Sequence, residues 1–487
     1  MASLAALPFF LFFSLLFISV NAISASNYTQ ALDHFGHDKS TFQQQYLISD
    51  TDWGGAGNRT PILVFLGGES PISSYVSQIG LINEAAPRLQ ALVVYIEHRY
   101  YGASIPYGSI DAALGSPKVR SFLTTKQALA DFASIITSLK TNLSAINSPV
   151  IVIGASYSGV LAAWFRIKYP HIAIGAVASS APILFREGFP PESDFCSIMS
   201  RDFQSANTKC SDIIRQSWNV IDQIASCTGG LEFLTELFHL CSPLLSSREL
   251  KKFLAHIYSF AAQYNGRHNH WISFVCNSIV GASNSNTGLD GIAMAVVAIG
   301  GGNRSCVPLK FNRIISPFPQ RNVDAVSAWD WQLCSEIVIQ KSCAKNNSLL
   351  IPNEAIDDHS EQIENCRKAY GPLARAGSLP TYYGRQDIIK SASNIIFSNG
   401  LMDPYSSLGI LDDLSDTIRA INTEQGSHCL DTNSVQEDDP KWLVRQRKKE
   451  IEILKKWIKS GGPKIAFAEK AVCVIYVFTI LFVRHLV

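Results

Sequence analysis

Apolar and polar positions along the chain fall into two textures. Short solid apolar runs, each closed by a turn signal, occur at Ile62–Leu66, Ala91–Ile96, Val150–Ile153, Ile172–Ala178, Asn394–Gly400 and Thr417–Ile421. Their length and β-branched content predict strands buried on both faces. Two earlier stretches, from Tyr28 and from Thr41, predict an edge strand, a turn and a return. Between the runs the spacing turns helical. Thr124 or Thr125 caps a helix that places Leu129, Phe132, Ile135, Ile136 and Leu139 on one face. A helix of about three turns follows Ser156 and is stopped by Pro170. A long helix carrying Trp442, Leu443, Ile453, Leu454, Trp457 and Ile458 inward closes the pattern at Gly461-Gly462-Pro463. Strands alternating with helices predict a mostly parallel sheet covered on both faces.

The second texture covers 186–384. Strand-like runs are scarce there, and helical stripes such as Leu250, Phe253, Leu254, Ile257, Phe260 and Ala261 dominate. Nine of the eleven cysteines lie between Cys196 and Cys366, none in the close spacing of a zinc site. That clustering predicts a disulfide-stapled, mainly helical insertion. An odd total leaves a thiol free, and Cys429 and Cys473, outside the cluster, are the expected ones. Gly300-Gly301-Gly302 reads as a loop. The resulting organisation is a leader at 1–22, a core in two parts at 27–185 and 385–460 around the insertion at 186–384, and a tail at 461–487.

Both ends are apolar. Residues 1–22 hold an apolar core from Leu7 to Val20 and a small-residue cleavage pattern, Val20-Asn21-Ala22, which predicts a secretory signal. Acceptor sites of the Asn-x-Ser/Thr type at Asn27, Asn58, Asn142, Asn303 and Asn346 agree with export and predict glycosylation. The expected destination is the secretory route, to a vacuole or lysosome or outside the cell. Ala471–Val483 is short for a membrane span, and whether the tail meets a membrane is left open. The 41 Lys and Arg nearly balance the 40 Asp and Glu, and no basic run is interleaved with aromatics, which excludes a nucleic-acid partner. A homodimer is left open.

The chemistry gathers at the junction of run and helix in Gly154-Ala155-Ser156-Tyr157-Ser158-Gly159. A serine on a sharp strand-to-helix turn is where an α/β-hydrolase holds its nucleophile. Centring the G-x-S-x-G pattern on Ser158 would need glycine at Ser156 and at Val160, whereas centring it on Ser156 replaces only the second glycine, by Ser158. Serine needs a base to take its proton and a third group to orient that base. Asp403, in Asn399-Gly-Leu-Met-Asp-Pro404, and His428, in Gln425-Gly-Ser-His-Cys429, both follow strand runs. Ser…Asp…His is the α/β-hydrolase order. Oxyanion donors are expected from the backbone of Tyr157 and of Gly67 or Gly68. No cofactor or metal is called for.

The chain resembles the S28 serine peptidases, which include lysosomal Pro-X carboxypeptidases and related dipeptidyl peptidases. The resemblance runs from about Tyr28 to Ile458. It is carried by YTQALDHF, EHRYYGAS, LTTKQALADFA, GASYSGVLAAWFRIKYPH, ASSAP, WDWQLCSE, SNGLMDPYS and GSHCLD. It implies an α/β-hydrolase core with an inserted helical, disulfide-containing cap, a peptide substrate cleaved on the carboxyl side of proline, and a triad at Ser156, Asp403 and His428. A Pro-X carboxypeptidase is the leading expectation, with a dipeptidyl peptidase, an esterase or a non-catalytic peptide-binding protein as alternatives. Four positions depart from the family pattern: Ala155 and Ser158 for glycines, Tyr405 for a tryptophan that would line the substrate site, and Cys429 for a second histidine. A second imidazole would disfavour protonation of the base, so its loss predicts a less acidic pH optimum.

Overall fold

The computed structural model describes residues 23–184 and 195–461, apart from 267–269, 283–287, 302–304, 310–322, 338–349, 352–358, 372–382 and 384–385. The expected leader, the tail with Cys473, and the acceptors Asn303 and Asn346 lie outside the described residues.

Eight strands form one sheet: β1 Ser24–Ala31, β2 Thr41–Ser49, β3 Ile62–Leu66, β4 Leu92–Ile96, β5 Val150–Ala155, β6 Gly175–Ser179, β7 Ile395–Gly400 and β8 Ile418–Thr423. Their spatial order is β1-β2-β4-β3-β5-β6-β7-β8. β2 pairs antiparallel with β1 and β4, and all other pairs are parallel. Every residue of β3, β4, β6 and β7 is buried, the mark of strands covered on both faces. Val64, Leu66, Val150 and Val152 face the helices Thr125–Asn142 and Tyr157–Lys168. Leu63, Phe65, Ile151, Ile153 and Ile396 face Gly80–Leu89 and Lys441–Lys459. This is the α/β-hydrolase core that the run pattern predicts.

Boundaries moved where side chains bury without pairing. β6 starts at Gly175 rather than Ile172, because Ile172 and Ala173 bond back to the Tyr169 carbonyl in a turn. Gly175 is obligatory: a Cβ there would meet the Trp457 ring at 2.5 Å. Thr124 is the cap of its helix and accepts from Gln127 N–H, while Thr125 is used elsewhere. On the closing helix Leu443, Leu454 and Trp457 are buried as expected, but Trp442, Ile453 and Ile458 are only half-buried. Gln446, Arg447, Glu450 and Ile451 complete its buried face.

The insertion leaves the sheet after β6 and returns at β7. Helices Phe195–Ala206, Thr208–Ala225, Ser247–Gln263, Trp271–Gly281 and Leu289–Val296 bury a hydrophobic cluster of their own. Disulfides Cys210–Cys276, Cys241–Cys306 and Cys334–Cys366 staple it. Closing the first two loops, of 66 and 65 residues, stabilises by about 4 kcal/mol each on loop entropy. Cys429 is free as expected, but so is Cys227, inside the cluster and exposed. It sits past the end of the helix Thr208–Ala225, where its thiol bonds the Gln223 carbonyl. Gly300 and Gly301 are not loop but part of a π-turn, Val297–Gly301, that continues a helix. The end of the insertion leaves the cap: Ile337 and Tyr383 pack into the core's cluster, as does Ile389 just before β7. Among the described residues no helix is long and apolar enough to cross a membrane.

Candidate active site

β5 runs into the helix Tyr157–Lys168 through a single residue, Ser156, at φ 58°, ψ −127°. A non-glycine residue holds such a backbone only where its surroundings over-determine it. Gly154 lets the helix close onto the strand, since a Cβ there would lie 2.0 Å from the Ser158 carbonyl oxygen. Gly159 does the same toward β6, where a Cβ would meet the Ser179 oxygen at 2.8 Å. Ser158, the departure from the glycine pattern, is buried and its hydroxyl staples the turn. It accepts from Ala155 N–H at 2.8 Å and donates to Ala155 C=O at 3.0 Å. That bonding also removes Ser158 as a competing nucleophile.

Asp403 follows β7 and is 1% exposed. Its Oδ1 accepts from Tyr405 N–H at 3.0 Å, which fixes the carboxylate as the cap of the turn Pro404–Leu408. Its Oδ2 accepts from His428 Nδ1–H at 2.5 Å. With Nδ1 carrying the proton to a carboxylate, Nε2 is the free lone pair of the neutral imidazole, and it is buried without a hydrogen-bond partner. Burial disfavours charge on His428, yet the Asp403 carboxylate and then the Cys429 thiol outweigh it and hold the imidazole well above its usual range. Burial likewise pushes Asp202, on the cap helix beside Asp403, up to about 6.

The histidine loop is pinned from several sides. His428 N–H donates to the Gln263 carbonyl at the end of a cap helix. Its ring lies between Tyr264 (5.7 Å, edge-on) and Tyr405 (5.9 Å). Cys429, at φ 59°, donates its N–H to Ser180 Oγ at 2.8 Å. Ser179, one residue earlier, takes Ser156 N–H on its carbonyl at 2.9 Å. Two consecutive residues at the end of β6 therefore hold the Ser156 turn and the residue beside His428. The Ser156 hydroxyl and Nε2 do not form a hydrogen bond in this state, and such bonds are often long without substrate.

The two glycines expected as oxyanion donors separate. Gly67 N–H donates to the Ile96 carbonyl at 2.8 Å, extending the sheet, so it is not available. Gly68 makes no such bond among the described residues, and its Cα lies against the elbow, with a Cβ reaching Ser158 Cβ at 3.3 Å. Tyr157 N–H opens the helix and has no intrahelical acceptor. Tyr405 lies beside His428 and edge-on to Phe195.

Other residues of this neighbourhood were not singled out by pattern. Asp431 accepts from Ser179 Oγ at 2.5 Å, and Glu450 from Ser398 Oγ at 2.7 Å. Ser179 and Ser398 are register partners on β6 and β7. Arg447 is fully buried and donates to the carbonyls of Leu430, Asp431 and Asn433. Glu97 accepts from Ile72 and Ala103 N–H and from Ser104 Oγ, and Arg99 forms a buried two-point pair with Asp131 at 2.6 Å. Glu-His-Arg directly after an apolar strand run could have marked Glu97 and Arg99. Among the described residues no group of His, Cys, Asp and Glu could hold a metal.

The profile of the serine carboxypeptidase S28 family matches residues 30–450. The lysosomal Pro-X carboxypeptidase of Mus musculus is 37% identical over 447 residues, 88% of each chain. The Homo sapiens protein of that name is 34% identical over 456 residues, 89% of each. The thymus-specific serine protease of Homo sapiens is 29% identical over 459 residues, 88% of this chain and 86% of its own. With the family profile spanning almost the whole described chain and over a third of positions shared with a full-length relative, this chain belongs to the serine carboxypeptidase S28 family.

Proposed function

We propose that this enzyme is a Pro-X carboxypeptidase that uses Ser156 as nucleophile, His428 as general base and acid, and Asp403 to orient and charge-stabilise the imidazole. His428 Nε2 takes the Ser156 proton as Oγ attacks the carbonyl carbon of the proline residue. The resulting oxyanion is received by the N–H groups of Tyr157 and Gly68. His428 then protonates the departing amine, and water repeats the sequence on the acyl-enzyme to release a peptide ending in proline. The carrying observation is a serine on a strained turn after β5, together with a buried His428–Asp403 bond of 2.5 Å that leaves Nε2 unpaired.

Tyr405, with Phe195, supports an aromatic wall beside the base, suited to a flat proline ring. A secretory or lysosomal setting is supported by the lysosomal relatives and by the exposure of acceptors Asn27, Asn58 and Asn142. The decisive experiment compares peptides carrying proline next to last with peptides carrying proline second from the free amine. Preference for the first, lost on Ser156→Ala with the thermal transition unchanged, supports the assignment. Preference for the second makes the enzyme a dipeptidyl peptidase, and activity surviving in Ser156→Ala removes the triad.

A further inference from the structure

The residue after the nucleophile turns two ways. Its N–H opens the helix at the site, while its side chain runs inward and is 3% exposed. There the Tyr157 hydroxyl accepts from Gln332 Nε2 at 2.8 Å and contacts His98 Nε2 at 3.2 Å. Gln332 Oε1 in turn accepts from the Tyr101 hydroxyl. His98 Nδ1 lies 2.7 Å from the Arg99 carbonyl oxygen. A carbonyl can only accept, so Nδ1 carries the proton and Nε2 is the acceptor for Tyr157 O–H. The chain thus runs one way: Tyr101 to Gln332, Gln332 to Tyr157, Tyr157 to His98, His98 to Arg99. Burial lowers the His98 imidazole to about 4, which keeps it neutral and the direction intact.

Gln332 belongs to the inserted segment, on the helix Val323–Ser335, whose Trp329 also packs on the Tyr157 ring at 5.2 Å. It is fully buried. A buried amide is costly unless each end is bonded, and an apolar side chain would fill the same space. One residue beyond that helix's end, Glu336 accepts from Thr125 N–H and Oγ1 at 2.7 and 2.9 Å, which fixes this part of the insertion on the core. The strained Ser156 turn is held on the Ala155 side by Ser158. On the other side the side-chain anchor is Tyr157.

Resting on the triad reading above, we propose that Gln332, acting through the Tyr157 hydroxyl and with His98 as the acceptor of its O–H, is a positioning residue that aims the Tyr157 N–H at the oxyanion. The insertion is then part of the catalytic machinery as well as a cover over it. Losing the anchor lets the Tyr157 peptide rotate, and misplacement of this kind costs about 10-fold or more in rate. Because the donor acts mainly on the transition state, kcat falls while KM stays within about 2-fold.

The test is a cycle of Gln332→Met, Tyr157→Phe and the double variant. It reads kcat, KM, the thermal transition, inhibition by a peptidyl-prolinal aldehyde that captures the serine, and inhibition by a peptide ending in proline. Tyr157→Phe keeps the ring in its pocket and serves if Gln332→Met does not fold. The proposal expects kcat and aldehyde affinity to fall together, product-peptide affinity to hold, and the double variant to be no worse than the worse single. It is overturned if only the thermal transition moves, if KM carries the change, or if the two effects add. Ser156→Ala run alongside separates the cases, since its inactivity leaves the triad standing whatever the cycle shows.

Discussion

Cys429 occupies the position beside the base, and replacing it with histidine tests how the site sets its working pH. The backbone there, at φ 59°, is one that histidine tolerates better than most residues, and the position is half-buried with its N–H bonded to Ser180 Oγ. The His428 imidazole is at present held well above its usual range by Asp403 and Cys429. A general base must be neutral, so the acid limb of kcat/KM follows that raised value. A cationic imidazole about 6 Å away at an effective dielectric of about 20 disfavours the proton on His428 by about 3 kcal/mol, or about 2 pH units. Only partial protonation of a half-exposed imidazole reduces this to about 1 unit. Cys429→Ala removes the thiol's support for the imidazolium and shifts the limb the same way, by less. The assay is kcat/KM on a penultimate-proline peptide from about pH 4 to about pH 9, which reports groups on the free enzyme. An acid limb ordered wild type above Cys429→Ala above Cys429→His is expected. An unmoved limb in Cys429→His, or an equal shift in both variants, would show that charge beside the base is not the agent.

Gly154→Ala places a Cβ 2.0 Å from the Ser158 oxygen and 2.7 Å from Gly159 N. We expect a loss of about 3 kcal/mol or more, read as a lower thermal transition, with fluorophosphonate labelling of Ser156 slowed in the protein that remains folded. Glu450→Gln tests the buried acid pair. Burial and Asp431 hold the Glu450 carboxyl well above 4.5, and burial raises Asp431 as well. A raised acid keeps its proton longer folded than unfolded, so its stabilisation is full below about pH 4.5 and is lost as pH rises toward the folded value. Denaturant midpoints should therefore fall from about pH 5 upward in the wild type and flatten in Glu450→Gln; parallel curves would refute the coupling.

The sheet was legible because its strands are buried on both faces, which forces solid apolar runs with turn residues at their ends. Errors came where burial and pairing part company. Ile172 and Ala173 are apolar because a turn covers them, not because they pair. The buried polar residues of the closing helix could not be read as core at all: Gln446, Arg447 and Glu450 look like a solvated face until Leu430, Asp431, Asn433 and Ser398 are brought against them. Cys227 was unreadable for a similar reason, since cysteine pairing depends on distance across the fold and not on counting.

The site divides along the same line. Ser156, Asp403 and His428 each stand at a strand end, and strand ends are legible, so position and chain order sufficed to nominate them. Gly67 and Gly68 are adjacent and identical in type; only the sheet bond from Gly67 N–H to Ile96 shows which of the two is already committed. The chain from Tyr101 through Gln332 and Tyr157 to His98 joins residues up to 231 positions apart, with no periodicity to mark it. Its sequence trace is two polar motifs, EHRYYGAS after a strand and WDWQLCSE in the insertion, whose polar members had no surface role to justify them. Buried glutamine and histidine must bond to something, and here both meet the Tyr157 hydroxyl, on the residue after Ser156. A polar motif that composition would leave on the surface, but that follows a fully buried strand, therefore points inward toward the site.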